Sequence, residues 1–246
     1  ISAEGVSGLA LLCFIYGMVG AFFSLYISKW IAKKFYNVKI IKSTNKNSSK
    51  LSVYNMVKDI SEKSNIPMPE VGIYESADPN AFATGPSKNN SLVAFSSSII
   101  EQLSQDELEA VIGHEISHIK NGDMVTMTLL TGIANAFVMF LSRIVAQIIV
   151  EYLSDDDSSI GLFGYYAIVW TLQIAFMLLA YIPINAFSRY REYRADAGAA
   201  RLTTAQQMIN ALKSIDKACS NVAPVKHDGY EVAKISSRRK VMLFST

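Results

Sequence analysis

Three stretches of this chain show no alternation of polar and apolar positions, because almost every residue in them is apolar. Residues 8–28, GLALLCFIYGMVGAFFSLYIS, carry no charge; residues 124–142 repeat the pattern, with more apolar residues beyond Arg143; and residues 160–187 form a third run, broken near its end by Pro183. At about 1.5 Å per residue each is long enough to cross a hydrocarbon core of roughly 30 Å. A buried helix of a soluble protein would show a polar stripe at that length, and these do not. Three transmembrane helices are therefore expected.

The remaining sequence alternates in ways that name ordinary elements. Residues 51–65 have helical spacing that Pro67 and Pro69 end, and residues 71–74, 81–84 and 92–96 read as short strands, with Pro86, Asn89 and Asn90 marking a turn between the last two. Ser104-Gln105-Asp106-Glu107 is a capping box. Behind it Leu108, Val111, Ile112, Ile116 and Ile119 recur at helical spacing, and Asn121-Gly122 is a stop signal, so a helix runs from about Gln105 to Lys120. The expected fold is an α-helical membrane protein carrying a small α+β unit.

Half of the 246 residues are hydrophobic and 18% are charged, below the roughly one quarter usual in soluble domains, which agrees with the apolar runs. A net charge of +2, spread along the chain, offers no concentrated basic face for nucleic acid, and no nucleic-acid partner is expected. Two cysteines, Cys13 in an apolar run and Cys219 in a polar one, speak against both a disulfide and a cysteine metal site. Ile1 and the end at Leu243-Phe244-Ser245-Thr246 read as cuts in a longer chain.

Charge is informative by position. Lys29, Lys33 and Lys34 follow the first span and Arg189, Arg191 and Arg194 follow the third, whereas the loop between spans two and three carries Glu151, Asp155, Asp156 and Asp157 without a cation. By the positive-inside rule the basic ends are cytoplasmic, and Arg143 snorkels toward the acidic loop or the headgroups. The chain then divides into an N-terminal span (1–30), a cytoplasmic part (31–123), a membrane hairpin (124–187) and a second cytoplasmic part (188–246).

The first cytoplasmic part contains His114-Glu115-Ile116-Ser117-His118, an HExxH pattern. On a helix, residues four apart share a face, so both imidazoles can grip one zinc ion while Glu115 serves as the base that activates the attacking water. A catalytic zinc takes a third protein ligand. His227 is one candidate, in an Asp-Gly turn; Glu192, in the ExxxD pattern with Asp196 just after the third span, is the better one. Asp196 would then bond the free nitrogen of a ligand histidine. The alternative is a solvated helix surface on which Arg191, Arg194 and Asp196 pair one turn apart. The hairpin offers a substrate platform, the backbone of Asn80, Ala81, Phe82 and Ala83 pairing with an extended peptide. Zinc supplies most of the oxyanion stabilisation, with Tyr193, His227 and Arg238 as candidate helpers. A silent zinc-binding scaffold and a multispan transporter are the rival readings; Glu115 argues against the first, and the lack of ionisable residues in spans one and three against the second.

NAFATG at 80–85, GHEISHIKNGDMV at 113–125 and SRYREYRADAGAA at 188–200 together resemble the HtpX family of membrane zinc endopeptidases, relatives of the CAAX prenyl proteases. The resemblance covers nearly the whole chain. It implies one zinc held by His114, His118 and Glu192, with Glu115 as catalytic base and residues 80–85 as an edge strand beside the site. It further implies a bacterial inner-membrane enzyme, active site facing the cytoplasm, that cleaves misfolded membrane proteins in quality control and stress response. Its partners would be protein or peptide substrates and the lipid bilayer.

Overall fold

The computed structural model describes residues 3–45, 47–153 and 161–221. Its elements are α1 (Ala3–Phe35), β1 (Lys39–Ile41), α2 (Ser48–Lys63), β2 (Glu70–Tyr74), β3 (Ala81–Ser87), β4 (Asn90–Ser96), α3 (Ser97–Gln102), α4 (Gln105–Asn121), α5 (Asp123–Leu153), α6 (Leu162–Leu202) and α7 (Ala205–Asn221). The chain is a mostly helical membrane protein with a small sheet, as the pattern of apolar runs required. It falls into two compact units, residues 1–26 with 125–188 and residues 27–124 with 189–246.

The first unit holds the apolar lengths of α1, α5 and α6, three helices long and apolar enough to cross a membrane. Its large side chains point outward: Leu11, Phe14, Phe23, Trp170 and Leu178 are all more than half exposed. Small residues lie inside. A Cβ on Gly17 would come within 2.8 Å of the backbone at Gly132 and Ala136, so α1 and α5 approach through bare backbone there. Pro183 does not end the third run, which continues as one helix to Leu202. Proline removes one helical hydrogen bond, but a long apolar helix can absorb that loss. Arg143 turns back along its own helix, Nη1 donating to the carbonyl of Met139 at 2.8 Å. Asp155, Asp156 and Asp157 lie outside the described residues.

The second unit is built on a sheet of order β1-β2-β4-β3, with β2 and β4 parallel and the outer pairs antiparallel. Val71, Ile73, Val93 and Phe95 project from one face into a core with Val53, Val57 and Ile60 of α2 and Ile112, Ile116 and Ile119 of α4. On the opposite face Gly72 leaves room for Val38, and Tyr36, Tyr74 and Phe82 meet with ring centroids 5.2–5.6 Å apart. The tail of α1 is tied to this sheet: Lys29 Nζ lies 3.0 Å from Glu70 Oε1 and donates to Asn90 Oδ1 at 2.7 Å, and Lys33 pairs with the other oxygen of Glu70.

The hairpin is longer than expected. Pro86 sits within β3 and Asn90 begins β4, leaving Lys88 and Asn89 as the turn. Pro86 is tolerated because β3 is an edge strand. The ladder is irregular between Thr84 and Ser87, where Gly85 takes φ 139° and any Cβ would collide with Asn90 O. Three elements lay outside the sequence reading: β1, α3 and α7.

Candidate metal centre

The site begins with the capping of α4. Ser104 N–H donates to Glu107 Oε2 at 2.9 Å and Ser104 Oγ accepts from Glu107 N–H, the reciprocal pair read from the sequence. At the other end Gly122 takes φ 72°, a left-handed turn that glycine adopts without strain, and its N–H returns to the last carbonyls of the helix. Between these ends His114 and His118 stand one turn apart, ring centroids 4.7 Å apart and nearly perpendicular.

Glu192 reaches the same point from α6, whose approach to α4 is set by small residues. Gly113 faces Ala199, and a Cβ on Gly198 would run into Ser117. Ala195 and Ala199 are fully buried. With the helices this close, Glu192 Oε2 lies 3.3 Å from Nε2 of each histidine, and the two Nε2 atoms are 3.1 Å apart. The opposite ring nitrogens are engaged as well: His114 Nδ1 is 2.8 Å from Asp196 Oδ1, and His118 Nδ1 is 2.7 Å from Asp123 Oδ2. Arg191 Nη2 donates to the remaining oxygen, Glu192 Oε1, at 3.0 Å. Glu115 sits between the two histidines in sequence and is buried.

This donor set fits a divalent metal. If each Nδ1 carries its proton toward a carboxylate, the two Nε2 atoms and Oε2 all present lone pairs to one point, an arrangement that calls for a cation. The edges of 3.1–3.3 Å are also close to the roughly 3.3–3.4 Å between ligand atoms about 2.0–2.1 Å from a tetrahedral zinc. The electrostatics agree. Burial alone would lower the pKa of His114, but the Asp196 and Glu192 carboxylates outweigh it and hold the ring up at about 10 in the absence of metal. His118 is likewise raised: burial opposes charging, but the hydrogen bonds to Asp123 and Glu192 prevail over it and over repulsion by His114. The pocket demands positive charge, as protons or as a metal ion.

Of the residues singled out by sequence, His114, His118, Glu192 and Asp196 converge here. Asp123 does not figure in that reading, although it is only 2% exposed and bonded to the His118 ring. Its signal was the Asn121-Gly122 stop, since a glycine turn sends the next residue back over the last helical turn. The solvated pattern of Arg191, Arg194 and Asp196 is not what forms: Arg191 turns to Glu192, Asp196 to His114, and Arg194 lies 5.9 Å from the Tyr190 ring. Tyr193 is exposed. His227 and Arg238 lie outside the described residues.

β3 ends the sheet, with no strand on its far side among the described residues. Asn80 does not offer that edge its backbone: its N–H donates to Ser96 Oγ, and its carbonyl accepts from Ser96 N–H at 2.9 Å and from Tyr74 Oη at 3.3 Å. Antiparallel strands alternate, so Phe82, paired with Ala94, also bonds inward, and the outward backbone groups are those of Ala81 and Ala83. Tyr74, whose hydroxyl closes this corner, has its pKa raised by burial and feels the charge of Glu115.

Comparison with known proteins gives concordant results. The model of peptidase family M48 matches residues 47–246. The chain is 47% identical over 215 residues to a protein named Protease HtpX from Shewanella halifaxensis (strain HAW-EB4), covering 86% of this chain and 75% of that one. It is 42% identical over 247 residues to Protease HtpX from Shewanella baltica (strain OS185), covering 99% and 86%. Among solved structures, the crystal structure of S. mikatae Ste24p superposes with a TM-score of 0.60 at 18% identity, over 90% of this chain and 58% of that one, a likeness of fold.

Proposed function

Because the chain belongs to peptidase family M48 and is a membrane metalloprotease, we propose that its metal is zinc, one per chain, held by His114, His118 and Glu192, and that it cuts extended segments of misfolded membrane proteins at the cytoplasmic face of a bacterial inner membrane. The observation that carries this reading is the convergence of the three donor atoms, each ring oriented from behind by a carboxylate. Two imidazoles and a carboxylate with an open position favour zinc over harder cations.

When bound, zinc supplies a Lewis acid for the scissile carbonyl and acidifies water. The chain's own residues do the rest. Glu115 accepts the proton of the attacking water and delivers it to the departing amine nitrogen. Asp196 and Asp123 keep the protons on the Nδ1 atoms, so that both Nε2 atoms remain donors toward the metal. The outward N–H and C=O groups of Ala81 and Ala83 pair with the substrate backbone, the inner neighbours Asn80 and Phe82 holding the strand in place.

An edge that reads backbone selects chain that is locally extended, and a catalytic unit joined to three membrane helices meets such chain in unfolded membrane proteins. Orientation rests on Lys29, Lys33, Lys34, Arg189, Arg191 and Arg194 at the span ends. The two cytoplasmic stretches, 31–123 and 188–246, act together as one catalytic unit, a reading supported by the clustering of 27–124 with 189–246.

The test is zinc content and cleavage of an unfolded membrane-protein substrate by the detergent-purified chain. One zinc per chain is expected, lost in Glu192→Ala and retained in Glu115→Gln with a rate lower by about 10²–10⁴-fold. Zinc retained in Glu192→Ala, or cleavage undiminished in Glu115→Gln, overturns the assignment.

A further inference from the structure

Arg191 occupies an unusual place. Adjacent residues on a helix diverge by about 100° around its axis, so a side chain does not ordinarily meet its next neighbour. Yet Arg191 folds over to donate from Nη2 to Oε1 of Glu192 at 3.0 Å, with only 19% of its side chain exposed. Its Nε–H is shut from solvent without a hydrogen-bond partner among the described residues, a cost that a guanidinium turned outward would avoid. Arg194, three residues on, shows the ordinary alternative, lying along the Tyr190 ring. Two further facts give the contact a purpose. The two oxygens divide their contacts, Oε1 accepting from Arg191 while Oε2 lies 3.3 Å from both imidazole Nε2 atoms. The cluster also gathers four carboxylates, Glu115, Asp123, Glu192 and Asp196, around a place for a divalent ion, leaving surplus negative charge that one buried guanidinium reduces.

We propose that Arg191 is a positioning residue: by occupying Oε1 it confines Glu192 to ligation through Oε2 alone and so keeps one coordination position of the metal open. A carboxylate free to bind through both oxygens would take that position itself. This rests on the reading of the cluster as a metal centre, and the two can fail separately.

The experiment loads the detergent-purified full chain with cobalt(II) and compares the unmutated protein with Arg191→Met and Arg191→Lys. Three readouts are taken: the visible absorption of the bound cobalt, competition with a chelator, and melting of the metal-free protein. In Arg191→Met the cobalt bands are expected to weaken as coordination rises from four to five, and the chelator to strip the metal less readily, since a second carboxylate oxygen joins the metal and a positive charge leaves its surroundings, with melting of the metal-free chain no lower. Arg191→Lys, which keeps the charge and one donor group, is expected to recover part of the four-coordinate spectrum. Arg191→Met with the unmutated spectrum and chelator curve overturns the proposal while leaving the metal centre standing; failure of the unmutated chain to bind one cobalt overturns both. Should Arg191→Met melt early, Arg191→Gln, with a neutral amide of similar reach, gives the same readings.

Discussion

The two units bury opposite kinds of residue. In the first, Gly17, Gly132 and Ala136 lie against other helices while Phe14, Phe23 and Trp170 face outward; in the second, Phe95, Ile112, Ile116 and Val93 are within and, outside the cluster around His114 and His118, charged side chains such as Lys58, Glu62 and Lys63 are on the surface. The difference follows from the solvent. Lipid tails are as apolar as phenylalanine, so nothing drives a large ring inward, and close backbone packing decides which residues meet. Around the second unit water expels the same ring, and burial becomes the main source of stability. Polar groups differ likewise. In the first unit Ser142 and Arg143 bond to carbonyls of their own helix, whereas in the second His114, His118, Glu192, Asp196, Asp123 and Arg191 form a network across α4, α5 and α6.

The sharpest test removes one aromatic ring from each. Phe95 is fully buried, and Phe95→Ala is expected to cost about 3–5 kcal/mol of stability, read from the unfolding midpoint in detergent. Phe23 is 63% exposed, and Phe23→Ala should change the midpoint by the equivalent of no more than roughly 0.5 kcal/mol, as for a surface substitution. Equal losses at both positions would break the contrast.

A smaller effect compares the polar groups. Asp123→Asn keeps an oxygen near His118 Nδ1 but removes the charge that fixes its proton, and the chain's metal affinity should fall by about 10–100-fold. Ser142→Ala, which deletes a bond to a carbonyl of its own helix, is expected to cost about 0.6 kcal/mol or less and to leave metal binding unchanged. Chelator titration reads the first and thermal melting the second. An Asp123→Asn chain that holds metal as tightly as the unmutated one would show that the carboxylate is ordinary core polarity.

Much of this was legible in the sequence because it is periodic or motif-bound. The three apolar runs, the helix of the capping box and the three strands rest on local patterns that the fold respects. What escaped depends on geometry that spacing does not encode. Asp123 reaches His118 only because Gly122 reverses the chain, and Arg191 meets Glu192 in defiance of the helical neighbour rule. Pro183, read as a break near the end of the third run, lies inside one continuous helix, where the lost hydrogen bond is tolerated. Strand β1 is three residues long, too short for any alternation to show. Helix α7 is a different case: Met208, Ala211, Leu212 and Ile215 recur at helical spacing and pack on the core, a signal present in the sequence and passed over beside the charged residues between them.

The smallest expected effect lies where α1 meets the sheet. Glu70 is partly buried, which by itself would raise its pKa, but hydrogen bonds and ion pairs with Lys33 and Lys29 lower it below the usual 4.5. A folded-state pKa below the unfolded one means that the group stabilises the fold above about pH 4.5, and that this contribution is lost as pH falls through the lower, folded value. The carboxylate is 42% exposed, so solvent screens the pairs and the contribution is small. Glu70→Gln should therefore lower the melting temperature slightly at pH 7, by less at pH 3.5, and by less again in 1 M salt, where the screening length is about 3 Å. A deficit that stays constant across pH and salt would mean that Glu70 holds the tail of α1 by hydrogen bonding or packing, and that the junction, unlike the metal centre, does not depend on charge.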